Sequence, residues 1–124
     1  MQGAASDMLS FKGKRVLLAC GKTDGRKNIN GLTAIVQSSF ALDPYESMVF
    51  VFCNGAKNRI KILEYEGNGF WLYSKKIEHG SFQWPAAGGN DKTMTITDDE
   101  LYHLLAGPGL VQKLRRIKYG HAIA

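Results

Sequence analysis

Six consecutive residues, Met48-Val-Phe-Val-Phe-Cys53, are apolar without interruption. A half-exposed strand alternates and a surface helix keeps a polar side, so this run has no face to give to water. Its length and its Val and Phe content fit a central strand covered on both faces. A second short segment, Arg15 to Cys20, carries the apolar run VLLAC between flanking charge and Gly21 and reads as another buried strand. A chain of 124 residues buries roughly two-thirds of its unfolded surface, enough for one core. One domain is expected.

Between the two runs, Thr23 or Asp24 can cap a helix by offering an oxygen to free backbone N–H groups. Ile29, Leu32, Ile35/Val36 and Phe40 recur at helical spacing, which predicts a helix over about 25–41. Gly31 sits within the stripe at a cost of about 1 kcal/mol against Ala, a cost that close packing on a strand would explain. Asp43-Pro44 ends the helix, because the residue before proline is driven out of the α region. Two strands follow, Arg59 to Tyr65 and Phe70 to Ile77, joined through Glu66-Gly67-Asn68-Gly69, whose residues tolerate positive φ. Ser81 to Trp84 reads as a further short strand-like piece stopped by Pro85. Residues 86–91 read as a loop and Thr93 to Ile96 as an edge strand.

The sharpest local signal is Thr97-Asp98-Asp99-Glu100, a capping box with Ile96 and Leu101 placed for a hydrophobic staple. Leu101, Leu104 and Leu105 continue that helix to Gly107-Pro108-Gly109. Leu110, Leu114 and Ile117 make a further apolar stripe. The expected architecture is α+β: a mostly antiparallel sheet, one long helix packed on it, and C-terminal helices. Residues 1–14 read as a flexible lead, 15–107 as the domain, and 108–124 as a basic helical extension.

Several function classes fall away on this reading. No apolar run approaches the roughly 20 residues that span a bilayer, and the first fourteen residues lack a secretory h-region. Cys20 and Cys53 lie inside apolar runs and read as buried thiols of a cytoplasmic protein. Asp98, Asp99 and Glu100 are accounted for by capping, while Glu64 and Glu66 share one side of a strand end. His79, His103 and His121 have no metal-ligand spacing with each other or with either Cys. Gly21-Lys-Thr is only the tail of a phosphate loop, with Val16 where the first glycine belongs. No cofactor, no metal and no catalytic residue is expected.

Binding chemistry has more support. The chain carries 16 Lys+Arg against 11 Asp+Glu, a net +5, which favours polyanionic partners. Arg26 and Lys27 fall in the first turn of the predicted helix, where they oppose its dipole and suit an anion site. On the hairpin, Arg59, Lys61, Leu63 and Tyr65 share one face, and Trp71, Tyr73 and Lys75 share one face of the next strand. A three-residue turn (67–69) would interleave these cations and rings on one surface, as stacked bases and phosphates require. A two-residue turn would instead send Trp71 and Tyr73 to the core side of Ile60 and Ile62. Lys113, Arg115, Arg116 and Lys118 crowd one segment, and no acid follows Glu100. Four phosphates neutralised by that segment would give a log–log salt slope of about −3.6.

Cys20-Gly-Lys-Thr-Asp-Gly-Arg-Lys-Asn-Ile-Asn-Gly-Leu32, Phe50-Val-Phe, Arg59-Ile-Lys-Ile-Leu63, Gly69-Phe-Trp-Leu72 and Phe82-Gln-Trp-Pro85 together resemble the accessory-protein family (TnpB, Orf2-like) of insertion-sequence-sixty-six elements. The resemblance runs from about Arg15 to Gly107, and its motif positions include Lys76 on the hairpin. The chain departs from the family pattern at Gly25, Asn28 and Asn30. The resemblance implies a non-catalytic aid to DNA transposition in the bacterial cytoplasm, encoded beside a transposase and a second accessory protein. Its expected partners are the DNA of element ends, the transposase and that second protein, with no membrane. Two readings follow: a DNA-binding module that helps assemble transposase on element ends, or an adaptor that contacts transposase without specific DNA binding.

Overall fold

In the computed structural model, which describes residues 11, 13–88 and 91–106, the uninterrupted apolar run is the middle strand of a five-stranded sheet. The elements run β1 (Arg15–Ala19), α1 (Ile29–Ser38), β2 (Met48–Cys53), β3 (Arg59–Glu66), β4 (Gly69–Lys76), β5 (Thr93–Ile96) and a second helix, α2, over 98–106. Sheet order is β4-β3-β2-β1-β5. β1 and β2 are parallel and joined through α1, whereas the β1–β5, β2–β3 and β3–β4 pairs are antiparallel. The fold is α+β with a mostly antiparallel sheet.

Strand alternation divides the core into two layers. On one face Leu17, Ala19, Phe50, Phe52 and Leu63 meet Leu32 and Val36 of α1. On the other, Val16, Leu18, Val49, Val51, Ile60 and Ile62 meet Phe11, Phe82, Trp84 and Leu101. All six residues of β2 are buried, because both layers press on that strand. Phe11 and Lys14, at the end of the expected lead, are packed onto the domain: Phe11 joins the second layer and Lys14 pairs with Glu64.

The first helix is shorter than its periodicity predicts. It begins at Ile29 behind Asn28, which makes no side-chain cap. Asp24 instead closes a turn of its own, accepting the Arg26 N–H at 2.9 Å. A Cβ at Gly31 would lie 3.2 Å from side-chain carbons of Lys27, so Lys27, and not a strand, occupies the space that this glycine leaves. At the other end the N–H groups of Ser39 and Phe40 both bond to the Ile35 carbonyl, and Ala41 takes φ 55°. The helix therefore stops before Asp43-Pro44 is reached.

The β3–β4 turn holds two residues, Gly67-Asn68, with Glu66 paired to Gly69. Gly67 alone of the two has positive φ (65°), the pattern of a type II′ hairpin turn. Residues 81–84 form no ladder. They run as extended coil whose Phe82 and Trp84 seal the second layer, the indole N–H donating to the Ala19 carbonyl at 2.8 Å. Side-chain burial supplied the apolar pattern there, without strand pairing. The capping box at α2 forms as its sequence predicts: Thr97 Oγ1 accepts from the Glu100 N–H (3.0 Å), and Glu100 Oε1 accepts from the Thr97 N–H (2.8 Å). The expected extension over 108–124 lies outside the described residues.

Candidate nucleic-acid interface

Asn54 sets the start of β3: its Oδ1 accepts the N–H groups of Asn58 and Arg59, each at 3.0 Å. From there the two-residue period places Arg59 and Lys61 on the α1 face, with Lys76 and Ser74 directly opposite them on β4. Arg59 Nη1 reaches Ser74 Oγ at 3.4 Å. Lys61 Nζ crosses to the loop before α1, donating to the Lys27 carbonyl at 2.7 Å and to Asn28 Oδ1 at 3.3 Å. Lys27, Arg59, Lys61 and Lys76 thus come to one side of the sheet from two distant stretches of chain.

Because α1 begins at Ile29, Arg26 and Lys27 precede the helix and do not occupy its first turn. The expected conflict with the helix dipole does not arise. Arg26 is held by Asp24 through two bonds, Nε to Oδ1 at 3.1 Å and Nη2 to Oδ2 at 2.9 Å. These guanidinium bonds keep the Asp24 carboxyl well below the usual carboxylate range. Arg26 is therefore a compensated, exposed charge, whereas Lys27, Arg59, Lys61 and Lys76 have no ion pair among the described residues.

The two-residue turn sends Trp71, Tyr73 and Lys75 to the opposite face, across from Glu64, Ile62 and Ile60. The interleaved surface of cations and rings is not formed. Nor do both rings enter the core. Tyr73 is half-buried, but Trp71 remains 54% exposed, its N–H bonded to Glu66 Oε1 at 2.9 Å. Lys75 donates to the Leu105 carbonyl at 2.7 Å, where an ammonium meets the negative end of α2. It has a structural partner and does not join the other cations. Lys113, Arg115, Arg116 and Lys118 lie outside the described residues.

A polar network that sequence reasoning missed sits beneath Trp71. Buried Glu64 accepts from Lys14 Nζ at 2.7 Å and from the Tyr73 hydroxyl at 2.9 Å. Burial, with Glu64 facing the hydroxyl, pushes Tyr73 up to about 12. Nothing local foretells the pairing, since Lys14 and Glu64 are 50 positions apart. Burial also pushes the Cys53 thiol up to about 11. Burial, and then the nearby Asp91 charge, raise Cys20. Neither thiol is poised as a thiolate nucleophile. Among the described residues no group of three or more His, Cys, Asp or Glu side chains could hold a metal ion.

Comparison with known proteins gives a family. The model of the family described as IS66 Orf2 like protein matches residues 14–115, running past Gly107, where the resemblance in the motifs ends. Two uncharacterized proteins of Sinorhizobium fredii are similar. One, y4hO, is 33% identical over 93 residues, covering 75% of this chain and 79% of its own length. The other, y4jC, is 32% identical over 96 residues, covering 77% and 80%. No solved structure matches the chain at a significant level.

Proposed function

The chain belongs to the IS66 Orf2-like family of transposition accessory proteins, and from that premise we propose that it binds the DNA of element ends and helps to assemble the transposase there, without catalysing a step itself. The observation that carries this reading is the Lys61 bridge to the loop before α1. It anchors the basic surface of Arg59, Lys61 and Lys76 against the main chain of the loop that carries Lys27. Cations so placed bind phosphates, which fix a protein's position on a duplex and carry most of the salt dependence. The exposed ring of Trp71 lies on the opposite face of the sheet and favours a protein contact there. A protein with DNA on one face and transposase on the other is a bridge between them.

The test is fluorescence anisotropy with labelled duplex, an element-end repeat against a scrambled one, at two salt concentrations. Replacing Arg59 and Lys76 together by Ala removes two phosphate contacts and flattens the log–log salt slope by about 1.8. Trp71→Ala leaves that slope unchanged and lowers capture of the transposase in a pull-down. No binding of either duplex at low salt rejects the DNA reading and leaves the adaptor alone.

A further inference from the structure

Beside the basic surface, at the carboxyl end of β1, the chain opens a groove of about 480 Å³ between the loop after β1, the end of α1 and the segment leading into β5. Its size is that of a small-ligand site and far below what a duplex needs. Position is its first argument. β1 has a parallel partner with a helical crossover on one side and an antiparallel partner on the other. At this end the chain leaves β1 toward α1 while the start of β5 lies beside it, and the groove opens between the two.

Lining chemistry is the second. Lys22, Lys27 and Lys92 border the groove without an ion pair among the described residues, and Lys92 Nζ reaches across it to donate to the Ser39 carbonyl at 3.1 Å. Of the two acids there, Asp24 is already taken by Arg26, which leaves Asp91 among three lysines. Ile35 and Phe40 give the wall an apolar, aromatic part, with Phe40 half-buried on Phe52 at a centroid distance of 6.3 Å. Cations beside an aromatic wall are the combination that holds an unpaired base and its phosphate. Lys27 lines this groove and its carbonyl accepts from Lys61 of the basic surface, so the groove lies beside that surface.

We propose that this groove takes one unpaired nucleotide of a DNA strand, its phosphate among Lys22, Lys27 and Lys92 and its base against Ile35 and Phe40. The proposal rests on the reading of the protein as DNA-binding and adds a preference for frayed or single-stranded ends. Its test is anisotropy of the full chain with two labelled probes, a single-stranded oligothymidylate and a blunt duplex. Lys22→Ala with Lys92→Ala weakens the single strand about tenfold, the scale of one lost base or phosphate contact, and changes the duplex by less than about twofold. Ser39→Trp, at an exposed groove residue, leaves every charge in place and fills the space. It weakens the single strand by a similar factor. Undiminished single-strand binding by Ser39→Trp, or an equal fall for both probes in the lysine variant, overturns the groove and leaves the duplex reading standing. Wild-type protein that binds the single strand in the groove but not the duplex supports the groove and rejects the duplex surface.

Discussion

Gly21 shows how much a single residue can conceal. In sequence it is the tail of an incomplete phosphate loop, and in the structure it has φ +79° with its N–H bonded to the Pro85 carbonyl. A Cβ there would lie 2.7 Å from the Ala87 Cβ, so strain and overlap act together. Gly21→Ala should lower stability by about 2–3 kcal/mol, read as a fall in the urea midpoint at unchanged m-value. Gly88→Ala, where an added Cβ meets nothing within 4 Å, should leave the midpoint almost unmoved. Both glycines were visible in the sequence, but their surroundings were not, because the two loops meet only in space. The same holds for Glu64. In sequence it only shares one side of a strand end with Glu66, whereas in the structure Lys14 and Tyr73 hold it in a buried network. Such a group is retained only because it is paired and hydrogen-bonded.

Elements were legible where their signal is local. Thr97 and Glu100 satisfy each other's backbone N–H within four residues, so α2 announces its start in the sequence and begins there. Thr97→Ala should cost about 1 kcal/mol in denaturant unfolding, and Thr97→Ser should recover most of it. The start of α1 misled because one of its two candidate caps was spent otherwise: the Asp24 side chain bonds the Arg26 N–H and guanidinium. Periodicity gave the buried stripe of Leu32 and Val36 correctly, but it carries no information on which turn at either end survives. Phe82 and Trp84 alternate like a strand and are buried like one, yet apart from the Phe82 N–H bond to the Lys57 carbonyl their segment joins no ladder. Alternation reports burial of every second side chain, and the ladder is a separate fact.

At the scale of the whole molecule the second core layer, to which Cys53 and Tyr73 both belong, has a consequence at high pH. Cys53 lies up at about 11 and Tyr73 at about 12, in both cases first through burial. Their ordinary values are about 8.5 and 10, so the unfolded chain loses these protons first. Stability that is fully present below those ordinary values is therefore lost as pH rises through the folded ones. Urea midpoints measured from about pH 8 to pH 11 should decline, and Tyr73→Phe should flatten the upper part of that decline. The sequence by itself determined the strands, their hydrophobic pattern and the cap of α2, because each depends on residues within a few positions of one another. It determined too that the cations Arg59, Lys61 and Lys76 belong to a hairpin. Only the tertiary structure decided which of the chain's cations lie on one face with them. One residue more or less in the Gly67-Asn68 turn exchanges the faces of β4, and contacts from remote parts of the chain set where α1 begins.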